Sequence, residues 1–285
     1  MWYPDDILDA VAVALAQREA DLREEHAVHG LDSWPEVKFH ALIAQALAAA
    51  AQTSGQPHGV LREQPYPHEW TRKQRRGGKS AASLDISPQI DISDYTEADI
   101  AAADPITGEL PDPRDRLRCD LVLTPAPGLK LGDPLAIVKT ARARKQQAAC
   151  TLFAALEAAE PPPTPPADTC PPEDAFWLEL KVVGQFTYSA GIAGPNSSYS
   201  AELSRGPAAD VKKLSSDGRI LHAAALILLF THDLPTAEHD LGQALHRCLD
   251  RNLPIGSPTR RSIPITDRIG NQFLTACLVP VRPTR

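Results

Sequence analysis

No two cysteines of this chain form a CxxC pair. The five (Cys119, Cys150, Cys170, Cys248 and Cys277) are scattered and odd in number. That pattern argues against a zinc ribbon and a secreted disulfide framework, and fits a reducing compartment. The nine histidines give no HxxxH or HExxH spacing, which speaks against a zinc hydrolase. The most apolar run, Ala223 to Phe230, is far short of the roughly 20 residues a membrane helix needs. The opening MWYPDDILDAVAVALAQREADLREE lacks the basic-then-apolar pattern of a secretory signal. A cytoplasmic protein with no membrane association is expected. No repeat appears at solenoid periods, and no helix-turn-helix or zinc finger offers base readout. The net charge of −7 excludes coating of nucleic acid by bulk charge and leaves room only for a local basic site.

What is present is ordinary globular material. Hydrophobic residues make up 43% and charged residues 23%, enough to bury a real core. Pro4-Asp5-Asp6 opens a helix whose apolar positions include Ile7, Val11, Ala14 and Leu15, followed by Gly30. Ser33, with Glu36 three residues on, gives the capping-box spacing for a second helix running to about Ala51. Short alternating runs at 84–86 and 90–92 read as strand or edge. Residues 116–124 alternate and read as a strand. A helix is expected from about Thr140 to Glu160, followed by a polyproline spacer. Phe176 to Val183 reads as a central strand, 191–196 as a loop, and Tyr199 to Leu214 as a helix with a break or restart at Gly206-Pro207. Leu221 to Thr231 is expected as a buried strand, Thr236 to Asp250 as a helix capped by Thr236, and Asn271 to Val281 as a last strand. Helices interleaved with strands predict an α/β or α+β fold, a sheet covered by helices.

Glu179 and Lys181 carry the chemistry. Two residues apart on a strand, they share one face, and charges on an otherwise apolar strand call for a partner or a metal. Asp120 is embedded in the same way, and pairing of the two strands would bring all three together. Carboxylates hold Mg²⁺, and a lysine beside them can orient a metal-activated water or neutralise charge on a phosphodiester under attack. The plain alternatives are an ion pair on a half-exposed strand for Glu179–Lys181, and a solvent-facing residue beside Arg118 for Asp120.

Cys119-Asp120 followed by Glu179-Leu180-Lys181 resembles the PD-(D/E)xK nuclease superfamily, with its restriction-endonuclease-like fold. The resemblance implies an α-β-β-β-α-β core with a mixed sheet. It would be made of the Ser33 helix, strands around 84–92, 116–124 and 176–186, the 199–214 helix and the 221–231 strand. Residues 1–30 would be an N-terminal helical extension. Residues 31–285 would form the nuclease-like domain, with a proline-rich insertion at about 125–175 to span the 179 − 120 = 59 residues between the acids. Cys119 replaces the family's proline. By resemblance, Asp120 and Glu179 hold Mg²⁺ (Mn²⁺ as substitute) and Lys181 serves the attacking water. Glu36 is the further acid and metal ligand on the first core helix, although a capping-box role also explains it.

Other candidates are weighed beside these. Gln185, four residues beyond Lys181, is a candidate to touch substrate or water, or a strand-end residue without a role. Arg72, Lys73, Arg75, Arg76 and Lys79 put five positive charges in eight positions and suit phosphate contacts, or a solvated loop. Gly77-Gly78-Lys79-Ser80 lacks the upstream glycine of a P-loop, where Lys73 stands, so nucleotide binding is rejected. Lys212 and Lys213 are candidates for phosphate contacts or for a charge cluster with Asp210. The expected partner is nucleic acid, DNA first, with a homodimer or accessory subunit left open. The expected function is metal-dependent phosphodiester hydrolysis. The alternatives are a catalytically inactive nuclease-like fold kept for binding or assembly, and a helical interaction protein.

Overall fold

The computed structural model describes residues 3–53, 58–67, 117–134, 140, 166–189 and 191–283. The runs at 84–92, nearly all of the 140–160 helix and of the polyproline spacer, and the basic loop with Arg72, Lys73, Arg75, Arg76 and Lys79 lie outside them.

A mixed sheet of six strands forms the middle layer. In spatial order these are β1 (Gly59–Pro65), β2 (Arg118–Thr124), β5 (Phe176–Gly184), β8 (His222–Thr231), β10 (Phe273–Val281) and β9 (Thr259–Pro264). Only β5 and β8 are parallel; the other pairs are antiparallel. Two small pairs lie outside the sheet: β3 (Lys130–Leu131) with β4 (Thr169–Cys170), and the hairpin β6 (Phe186–Ser189) with β7 (Ile192–Pro195). The hairpin corrects the expectation of a loop at 191–196. It turns at Gly191, whose φ of +80° suits a residue without Cβ.

Helices cover both faces. On one side lie α1 (Pro4–Glu24) and α2 (Glu36–Thr53), on the other α3 (Tyr199–Ser215) and α4 (Leu234–Asp250). Alternation along β5 divides its side chains. Phe176, Leu178 and Leu180 join Leu8, Val11, Phe39 and Ile43 in the first core. Trp177 and Val183 join Leu203, Val211 and Leu241 in the second. Both faces being buried explains why β8 reads as a continuous apolar run. Its middle, Leu226 to Phe230, is at most 1% exposed.

α1 is a full member of the first layer. Ile7, Leu8, Val11 and Leu15 are all but inaccessible. Its Glu19 accepts from Arg268 (2.9 Å) and from the Thr266 amide (3.0 Å) in the turn before β10. It ends in a Schellman arrangement: Ala27 N donates to Leu22 O, and His26 N to Arg23 O, with His26 at φ +50°.

Several expected boundaries move. Ser33 does not cap α2 by the expected box; its hydroxyl donates back to Gly30 O and closes the turn Leu31–Ser33. α3 runs through Gly206-Pro207 without a break. Proline removes one helical donor, but Leu203, Val211 and Leu214 anchor the helix on either side. α4 is capped by Asp233, not Thr236: Asp233 Oδ1 accepts from Thr236 N at 2.7 Å. β9 carries Arg260 and Arg261, and Arg261 ties this edge strand to Asp9 of α1 at 2.7 Å.

Candidate functional site

The site is built where β2 leaves β5. The two strands pair over only Leu121↔Leu178, Val122↔Trp177 and Leu123↔Phe176. β5 then continues beside β8 to Gly184, while β2 keeps its register with β1. On these registers Glu63, Asp120 and Glu179 fall in one row across β1, β2 and β5.

Carboxylates take the amides freed by the split. Leu180 N donates to Asp120 Oδ2 at 2.7 Å. Val182 N donates to Glu36 Oε2 at 3.1 Å, and the same oxygen receives Lys181 Nζ at 3.0 Å. Glu36 thus reaches from the first turn of α2 into the cleft rather than folding back as a cap. Asp120, Glu179, Lys181 and Glu36, expected as a group, do converge here.

The lysines are shared in an unexpected way. Lys181 pairs with Glu36, whereas Glu179 Oε2 is held by Lys213 at 3.1 Å, and Lys213 also reaches Asp210 at 2.7 Å. The Tyr66 hydroxyl donates to Glu179 Oε1, and its ring stacks on Trp177. Lys213 therefore points inward to the acids, not outward to solvent. Lys212 is exposed on α3. Gln185 lies past the end of β5, and its side-chain oxygen accepts the His232 amide at 2.9 Å, tying β5 to the end of β8. Gly206 presses on Lys181: a Cβ there would stand 2.9 Å from Lys181 Cδ.

Tyr66 and two further residues, His40 and Glu63, are absent from the sequence-based expectations. His40 lies one helical turn beyond Glu36, on the same face of α2. It is 5% exposed; its Nε2 is 3.6 Å from Asp120 Oδ1 and its Nδ1 is 3.4 Å from Glu63 Oε1. The i, i+4 spacing of Glu36 and His40 was the available signal. Glu63 gave none, because its placement depends on a backbone φ of +51°, a left-handed conformation that costs a side-chain-bearing residue about 1–2 kcal/mol. Arg118 donates to the Glu63 carbonyl at 2.7 Å and helps hold that conformation.

The electrostatics follow from crowding acids in a poorly solvated cleft. Burial raises Asp120 to about 6; the negative charge of Glu36 adds to this, while the Leu180 amide and Lys213 oppose it. Burial lifts Glu179 to about 8, against the pull of Lys213 and with Asp120 and Asp210 adding to the rise. Asp210 is raised for the same first reason, burial. Burial opposes the charge on Lys213 and on Lys181, yet their carboxylate partners outweigh it and both stay above the ordinary lysine value. Burial also keeps the Tyr66 phenol well above its usual range, so it remains a donor.

The chain matches no family model, no curated protein and no solved structure. Function has to be argued from the cleft itself. Among the described residues, no helix is long and apolar enough to cross a membrane.

Proposed function

We propose that the chain is a metal-dependent nuclease of the PD-(D/E)xK kind, hydrolysing phosphodiester bonds in DNA. One observation carries the reading: Asp120, Glu179, Lys181 and Glu36 meet where β2 and β5 part. The order of α2, β1, β2, β5, α3 and β8, with β1-β2-β5-β8 adjacent in the sheet, supports a restriction-endonuclease-like core.

The donor set fits a divalent cation. Asp120 would hold it together with a neighbouring carboxylate, Glu179 or Glu36, and Mg²⁺ is the first candidate for oxygen ligands. The cation, when bound, supplies a Lewis acid for the phosphate and a water of lowered pKa. The protein fixes the rest. The Leu180 amide orients Asp120, and the Val182 amide orients Glu36. Lys181, raised and cationic, is held beside Glu36, where it can stabilise developing phosphate charge or position a water. Exposed Lys212 and the basic segment with Arg72 to Lys79 supply backbone contacts to the nucleic acid in this reading.

One feature favours a second reading, a nuclease-like fold kept for binding. Lys213 sets an ammonium against Glu179, and an ammonium can replace a cation there. Incubating the purified protein with plasmid, linear and single-stranded DNA, with and without Mg²⁺ or Mn²⁺, separates the two. Cutting that needs metal and disappears in Lys181→Ala supports the nuclease. Binding of DNA with no cutting of any substrate favours the second reading.

A further inference from the structure

We infer that His40, Glu63 and Asp120 form a divalent-cation site of mixed nitrogen and oxygen ligands, suited to Mn²⁺ rather than Mg²⁺. The site shares Asp120 with the proposed nuclease centre but does not depend on that reading, because metal binding is measurable without cleavage.

The first support is a buried imidazole with no hydrogen bond. His40 is 5% exposed, and neither ring nitrogen has a hydrogen-bond partner among the described residues. A buried polar group in that state costs about 1–3 kcal/mol, so a histidine kept there calls for a ligand. Its nitrogens face carboxylate oxygens of Glu63 and Asp120 at 3.4 and 3.6 Å, outside the usual N–H···O range.

Other carboxylate oxygens of the cleft already accept from protein donors. Tyr66 and Lys213 occupy both oxygens of Glu179. Lys181 and the Val182 amide share one oxygen of Glu36, and the Leu180 amide takes Asp120 Oδ2. Asp120 Oδ1 and the Glu63 carboxylate face the imidazole instead. One ligand atom from each of the three residues lies within 4.8 Å of the others. Ligands about 2.1–2.2 Å from a common ion stand at most ~4.4 Å apart. The span therefore has to close by a few tenths of an ångström, and Glu63, with half its side chain in solvent, can supply that.

The backbone points the same way. Glu63 adopts φ +51° in the strand position opposite Asp120, with regular pairing on both sides. Strain of that kind persists only where surrounding structure imposes it, and it gathers at functional sites. Charge adds to the case: Glu36, Glu63, Asp120, Glu179 and Asp210 crowd a region whose ammonium contacts are Lys181 and Lys213.

Imidazole decides the metal class. Mg²⁺ demands a nearly all-oxygen octahedral shell with several waters, whereas imidazole suits first-row transition ions. One nitrogen with two carboxylates and open positions is a reasonable Mn²⁺ shell.

The test is Mn²⁺ binding to the full chain, followed by the loss of the free-ion electron paramagnetic resonance signal, with and without excess Mg²⁺. Pulsed measurement then looks for ¹⁴N coupling from the imidazole. The expected result is one Mn²⁺ held against a tenfold excess of Mg²⁺, with ¹⁴N coupling that disappears in His40→Gln. Weakening by at least about tenfold is expected in Glu63→Gln, which alters a half-exposed side chain and leaves the core alone. Absence of Mn²⁺ binding overturns the inference. So does binding without ¹⁴N coupling that Glu63→Gln leaves unchanged, which would make His40 an imidazolium clamp between two acids. Mn²⁺ bound as expected with no DNA cleavage would sink the nuclease reading and leave this site standing. Cleavage at the normal rate in both variants, with no Mn²⁺ held by the wild-type chain, would do the reverse.

Discussion

Lys213 Nζ, not Lys181 Nζ, is the ammonium in contact with Glu179, at 3.1 Å. Lys181 stands only two residues from Glu179 yet pairs with Glu36 across the cleft. The two lysines thus divide the work: one neutralises a buried acid from α3, the other faces the open end of the cleft.

Removing Lys213 strands a carboxylate that is 3% exposed. Breaking one side of a buried pair costs about 3–5 kcal/mol. Lys213→Met is expected to lose roughly 3 kcal/mol in urea unfolding at pH 9, where Glu179 is ionised, the lower end because Lys213 keeps 21% of its side chain in solvent. Adding Glu179→Gln should restore most of it; a double variant as weak as the single one refutes the pairing.

Gly206→Ala tests how Lys181 is aimed. The new Cβ would stand 2.9 Å from Lys181 Cδ and 3.2 Å from Cε, so the lysine tip must move. Alanine inside a helix gains about 0.5–1 kcal/mol over glycine, which offsets the shift. Stability should change little, while the maximal cleavage rate falls by about tenfold or more and DNA affinity is retained. Wild-type cleavage would show that Lys181's position does not matter.

The buried acids predict a stability that falls as pH rises. Asp120 titrates at about 6 in the fold against an ordinary 3.8, and Glu179 at about 8 against 4.5. The folded chain therefore holds protons that the unfolded chain has released. Stability declines from about pH 4 to pH 8 on their account. The lysines oppose no part of that decline, since their contribution is constant until pH approaches their unfolded value of 10.5. With chelator present, Tm should be higher at pH 5.5 than at pH 8, and the Asp120→Asn, Glu179→Gln double variant should flatten the slope. A wild-type Tm that rises over this window contradicts the account.

Helix ends give two independent checks far from the cleft. His26→Gly relieves a left-handed histidine and should add about 1 kcal/mol. Asp233→Ala removes the cap of α4 and should subtract about 1 kcal/mol. Neither should alter cleavage; calorimetry beside the DNA assay reads both.

The parts of the molecule governed by local pattern were legible in the sequence. β5 shows its alternation, β8 its apolar run, α3 its period, and each lies within a residue or two of its expected limits. Glu179, Lys181, Asp120 and Glu36 could be singled out because charge on an apolar strand or at a helix start is conspicuous. What could not be read depends on distance in space. Lys213 read as a phosphate contact or a charge partner of Asp210; it does pair with Asp210, and only the packing of α3 on β5 also turns it toward Glu179. His40 sat on an apolar helix face, where a histidine draws no notice. Glu63 needed a φ that no residue type announces. Gln185 seemed to continue the strand, but β5 ends at Gly184.

The contact between Glu19 and Arg268 spans 249 positions. On a ribosome, the first helix emerges long before the turn that anchors it. Its apolar stripe of Ile7, Leu8, Val11 and Leu15 packs partly on β9 and β10, which are made long after it. α1 must therefore wait, with its greasy side uncovered, until β9 and β10 have been made. Chaperone holding or brief self-association of partial chains is the natural hazard of this architecture, and trimming the C-terminal strand would release the N-terminal helix with it.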